Sequence, residues 1–163
     1  MNIRWKLFTT ISTALVINLA VGYYAFMSLR QATVDSNRIT EHTFNVVTQS
    51  LTTQVHFKKQ VQEWKNILIL GHRAELYAQY LDQFQRAEQL TQQSINNLLE
   101  LLEPGTVSWK AARDFQQAHE TLGGQYRNAL NTNRNITGGT YIDIDRDVRG
   151  IDRQPTKLMD QVV

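Results

Sequence analysis

Three arginines near the end of the chain, Arg146, Arg149 and Arg153, recur at intervals of three and four within DRDVRGIDRQP, residues 145 to 155. On a helix that spacing sets them along one stripe. A guanidinium fork matches a carboxylate in two-point contact, so the stripe could clamp an anion. The alternative is surface pairing, Asp145 with Arg149 and Arg149 with Asp152, which contributes only about 0–1 kcal/mol per pair. Gly150 and Pro155 interrupt the same stretch, at about 1 and 3 kcal/mol in a helix interior. Pro155 cannot donate to the carbonyl of Ile151, which makes the segment a place where a helix could bend. The spacing thus describes either a solvated face or an anion clamp on a weakened helix.

A clamp needs a second wall. Apolar residues recur at three-four spacing in four series, which predicts four helices. The first is Phe44, Val47 and Leu51, continued by Phe57, Val61, Trp64 and Leu68 to a turn at Gly71. The second runs from Tyr77 through Leu81, Phe84, Glu88, Thr91, Ile95 and Leu98 to Leu102, stopped by Glu103-Pro104-Gly105. Glu88 and Thr91 are polar positions in that seam, able to set register or line a small cavity. The third is Ala112, Phe115, His119, Leu122, Tyr126 and Ala129, ending at RNITGG; the fourth is Tyr141, Ile144, Val148, Ile151, Pro155, Leu158 and Val162. No alternating strand pattern or hairpin turn competes. Short connections between long seams predict an all-α, antiparallel up-down-up-down four-helix bundle.

Helix rise places the motifs within it. Trp64 falls roughly 10 Å short of the turn at Gly71, and Arg149 and Arg153 about 15–20 Å from the start of the fourth helix. First and last helices are neighbours in such a bundle, so QVQEWKN, residues 60 to 66, should face VRGIDRQP. The candidate ligand contacts are therefore Arg149, Arg153, Trp64, Gln60 and Arg146. Trp64 also fits a seam position as core, and Lys65 and Glu63 are expected to face water.

The N-terminus sets the location. Residues 7–29 carry no charge and suffice to cross a hydrocarbon core, with Arg4 and Lys6 before them holding residues 1–6 in the cytoplasm. A cleaved signal peptide with Ala20 and Gly22 before the cut is the alternative, but the apolar run continues through Phe26 and Met27, long for such a leader. Residues 30–163 would then form the domain outside. From Arg30 to Gly71 a helix rises about 60 Å, whereas the fourth series covers only about 35 Å. The expectation is a chain that ends before a second membrane segment.

Composition removes other classes. The 163 residues carry a formal charge of +2 without basic blocks, which argues against a nucleic-acid platform. With no cysteine there is no disulfide, thiolate metal site or Cys nucleophile. The four histidines are scattered without metal-ligand spacing, and His119 reads as a hydrogen-bonded core residue. No phosphate loop or nucleophile-base pair occurs, so neither an enzyme nor a cofactor is expected. Asn135-Ile136-Thr137 matches a glycosylation sequon, a chance match on this reading.

The anchor, the long helical series, FKKQVQEWKNILILG and VRGIDRQPTKLMDQVV together resemble the sensory domain of bacterial methyl-accepting chemotaxis proteins. Where such receptors read closer to EWKNxLLRG, this chain has Ile69 and Leu70 before Gly71, with Arg73 beyond. The resemblance implies a homodimer in the bacterial inner membrane with a periplasmic sensor domain. It implies a small-molecule ligand bound toward the membrane-distal end and a signal passed by displacement of the last helix. It also implies that a second membrane segment and a cytoplasmic signalling region follow. The same bundle could instead head a sensor kinase or nucleotide cyclase, or serve as an anchored scaffold without ligand.

Overall fold

The structure, a computed structural model, describes residues 3–132 and 140–162, with side chains for 3–132 and 144–162. The sequon at Asn135 and the side chain of Tyr141 lie outside the described residues. All regular structure among the described residues is helical: α1 (Ile3–Leu70), α2 (Ala74–Leu101), α3 (Val107–Thr132), α4 (Thr140–Val148) and α5 (Arg153–Val162). The chain divides into two compact units, Met1–Thr43 and Phe44–Val163.

In the first unit α1 carries a stretch long and apolar enough to cross a membrane, none of it buried. Four of its polar side chains are satisfied within the helix. Thr9, Thr10, Thr13 and Asn18 each donate to a main-chain carbonyl one turn back, at 2.8–3.0 Å. Such internal bonding is what hydrocarbon requires of a polar side chain. Trp5 and Phe8 pack edge to face.

In the second unit the helices pair in alternating directions. Gln49 and His56 of α1 reach Ser94 of α2, while Trp64 meets Phe84, so the two helices run antiparallel. Asn96 with Gln116, Glu88 with Arg127 and Phe84 with Tyr126 give the same relation between α2 and α3. Helix α3 also packs on α4 and α5. Gln54 donates to Asp160 at 3.0 Å, which ties α5 to α1.

The ends follow local chemistry. Thr106 caps α3: its hydroxyl accepts from the Trp109 amide at 3.2 Å. Gly105 before it has φ +87°, a conformation other residues rarely adopt. At Gly71 a side chain would run into the Ile67 carbonyl. The turn there requires glycine.

All six residues of the third series are buried. Three expectations need correction. Phe44, Val47 and Leu51 do not form a core seam; they are exposed, Phe44 to 68%. The face of α1 that turns inward is Ser50, Thr53, Phe57, Gln60, Trp64 and Ile67, a regular three-four series with polar members. Glu63 does not face water: it is 8% exposed and accepts from the Asn66 amide at 2.9 Å. It stands beside Gln60 and Ile67 on the helix, and the same packing that buries them buries it.

The fourth series is not one helix. It breaks after Val148 and resumes at Arg153, with Gly150 at φ +79°. Bonds from Ile151 N–H to the Val148 carbonyl (3.3 Å) and from Arg153 N–H to the Gly150 carbonyl (3.2 Å) close the turn. Pro155 is then the third residue of α5, where a missing N–H leaves no helical bond unmade. The proline does not kink a helix interior; the glycine makes the break.

Candidate functional site

The turn at Gly150 faces the upper part of α1 across a cleft of about 270 Å³. Val61, Trp64, Lys65 and Leu68 of α1 form one wall; Asp145, Val148, Arg149, Asp152 and Arg153 form the other; Tyr126 of α3 contributes between them. The juxtaposition expected between QVQEWKN and VRGIDRQP is present for Trp64, Arg149 and Arg153. Gln60 and Arg146 do not line the cleft.

Its floor is aromatic. Trp64, 3% exposed, stacks on Tyr126 with centroids 4.1 Å apart and planes 19° from parallel. Phe84 closes the cluster at 5.9 Å from Trp64 and 5.8 Å from Tyr126. Offset stacked and edge contacts of this kind add about 0.5–1.5 kcal/mol each beyond area burial. Burial, and then the charge of Asp152, push the Tyr126 hydroxyl well above its ordinary pKa. It stays protonated and remains a donor at neutral pH.

The rim carries both signs. Arg149 donates through Nη2 (2.7 Å) and Nε (3.2 Å) to one oxygen of Asp145, an exposed pair within α4 and its C-terminal flank. Arg153 folds back over Gly150, its Nε 3.2 Å from where a β-carbon would stand. Lys65, Asp152 and Arg153 make no side-chain hydrogen bond or ion pair among the described residues. An anion entering the cleft would meet Arg153 and Lys65 unengaged, and Arg149 only by competing with Asp145.

Gln60 serves elsewhere. His119, 1% exposed, stands with Nε2 2.8 Å from Gln60 Oε1 and Nδ1 3.4 Å from Gln92 Oε1; a neutral ring has one N–H to give, and the shorter contact, to Gln60, takes it. Burial, followed by the charge of Arg127, lowers the His119 pKa to about 4, so the ring is neutral. Gln60 Nε2 is buried and has no partner among the described residues. Glu88 pairs with Arg127 at 2.6 Å across α2 and α3. Its carboxylate lies where a side chain on Gly123 would be.

Sequence reasoning missed Tyr126, Asp145, Asp152 and Lys65 as cleft residues. The helix ruler could have found Tyr126: it precedes the end of α3 by about as many residues as Trp64 precedes the turn at Gly71.

Over 105 residues the chain is 33% identical to the methyl-accepting chemotaxis protein CtpH of Pseudomonas aeruginosa. The match covers 64% of this chain and 18% of that relative. No family model matches the chain, and no solved structure does.

Proposed function

We propose that this chain is the sensory region of a chemotaxis transducer. On this reading residues 7–29 span the inner membrane, and residues 30–163 form an antiparallel four-helix bundle in the periplasm. The bundle binds a small, anionic molecule and passes the event on through displacement of the last helix. The observation that carries the proposal is the similarity to a methyl-accepting chemotaxis protein. It favours this output over a sensor kinase, a nucleotide cyclase or a ligand-free scaffold. The cleft adds chemistry to it: unpaired Arg153 and Lys65 above an aromatic floor suit a carboxylate or another oxyanion. Gly150 gives the segment under the ligand a joint.

A homodimer belongs to the same proposal. Phe44, Val47, Leu51 and Val55 follow one another at intervals of three and four on α1 and are all exposed. A second copy would cover such a stripe.

Thermal shift of the full chain in nanodiscs against carboxylates, amino acids and inorganic oxyanions tests the ligand. Arg153→Ala is expected to weaken a hit by about tenfold or more, the scale of a lost charge-assisted bond. Arg149→Ala should weaken it less, because Asp145 already holds that guanidinium. A hit indifferent to both substitutions would remove the cleft from the proposal, and a panel without hits would favour the scaffold.

A further inference from the structure

The turn at Gly150 has a second side. Besides the arginine cleft, it lines a groove of about 560 Å³ between α3 and the Gly150–Leu158 segment. Its size is that of small-molecule sites, which combine an apolar lining with a few convergent polar groups. The floor is apolar: Pro155 is buried, and Leu158 is half-buried beside it. The rim is made of Asp114, Gln117, Gln125 and Gln154.

The charge of this groove is opposite to what the arginine stripe supplies next door. Among the described residues Asp114 is the only ionisable side chain lining it. Its carboxylate makes no hydrogen bond or ion pair among the described residues, since neighbouring Arg113 donates instead to Gln116 at 2.7 Å. The side-chain amides of Gln117, Gln125 and Gln154 likewise take no partner there, and each offers a carbonyl acceptor. The carboxylate selects a cation, the three amides can turn their carbonyl oxygens toward it, and the alkyl-lined floor suits a hydrocarbon: an ammonium group on a short chain meets all three.

We infer that the α3–α5 groove is a second ligand site, which takes small alkylammonium compounds through Asp114, with the alkyl part against Pro155 and Leu158. The inference does not depend on the chemotaxis reading or on an anion in the arginine cleft. It does bear on them, because Gly150 lines both cavities and a ligand on either side holds the same turn.

The test is calorimetric titration of the full chain in nanodiscs with n-butylammonium chloride, at matched ionic strength, beside 1-butanol and sodium butyrate. Saturable binding of the amine alone is expected, in the range up to tens of millimolar. Asp114→Asn should weaken it by about tenfold or more. Gln154→Ala should weaken it less; both side chains are exposed, so both variants should keep the unliganded melting temperature. Binding of the alcohol or butyrate as tight as that of the amine, amine binding unchanged in Asp114→Asn, or no saturable binding in that range would each overturn the site.

Discussion

The core of the Phe44–Val163 unit changes character along α1. Toward Leu70 it is built from large apolar and aromatic groups: Trp64, Ile67, Phe84 and Tyr126, with Leu130, Ile144 and Val148 around them. Toward Phe44 the same inward face is Gln60, Phe57, Thr53 and Ser50, three of the four polar, met by Thr91, Ser94, His119 and Phe115 from α2 and α3. In the first region hydrophobic burial and ring contacts supply the stability. In the second, hydroxyls return their hydrogen bonds to their own helices: Ser50 to Val46, Thr53 to Gln49, Thr91 to Ala87. Such bonds satisfy the buried groups but tie no helix to another. One region is held chiefly by apolar and ring contacts; the other adds hydrogen bonds between helices, Gln60 with His119 and Gln49 and His56 with Ser94, to the contact of Phe57 with Phe115.

Removing the keystone of the apolar region should have the largest effect. Trp64→Ala is expected to cost about 3–5 kcal/mol in denaturant unfolding, the range for a large aromatic in a packed core. A cost below about 1 kcal/mol would mean the aromatic cluster does not carry the unit.

The polar region should answer to pH instead. His119 has a folded pKa of about 4 against an ordinary 6.5, so between these values the unfolded chain binds the extra proton. Stability should be full above pH 6.5 and fall as pH drops toward 4. The loss attributable to this group is about 3 kcal/mol. In His119→Gln the slope in that window should flatten by that amount.

Substitutions at Gln60 sharpen the contrast. Gln60→Leu alone deprives the His119 N–H of its acceptor and should cost about 1–3 kcal/mol. Gln60→Leu with His119→Leu also removes the ring left without its acceptor, and at neutral pH should stand within about 1 kcal/mol of the parent. Chemical denaturation of the two variants at pH 7 measures the difference.

Between the regions, two adjacent glycines should differ in size of effect. Gly123→Ala must move the end of the Glu88 side chain away from Arg127, which should offset the propensity gain and leave stability within about 0.5 kcal/mol of the parent. Gly124 has open space around it, and Gly124→Ala should stabilise by about 0.5–1 kcal/mol through helix propensity alone. Melting temperatures of the two variants decide it.

The same division explains what was legible in the sequence. Where the core is apolar, spacing revealed it: the third series needed no change, and Trp64 was correctly set near the basic stretch. Where the core is polar, the apolar residues of α1 misled. Phe44, Val47 and Leu51 keep a helical period as well as a core seam does, yet Ser50 and Thr53 take the inward positions. Periodicity reports that a face is apolar, not what covers it. The cleft was half visible for a related reason: arginines at regular spacing can be counted and the pair of Asp145 with Arg149 follows from that spacing, whereas Arg153 folding back over Gly150 depends on side-chain placement. Gly150 and Pro155 were both noticed, but their division of labour follows from a single backbone angle.

That angle has a further consequence for the phase of the last helix. In an unbroken helix, inserting one residue rotates everything after it by about 100°. Because the turn at Gly150 separates α4 from α5, the azimuth of α5 against α3 is set independently of the azimuth of α4. The two segments can therefore be matched to their neighbours one at a time, and a length change within the turn need not spin the residues beyond it off their face.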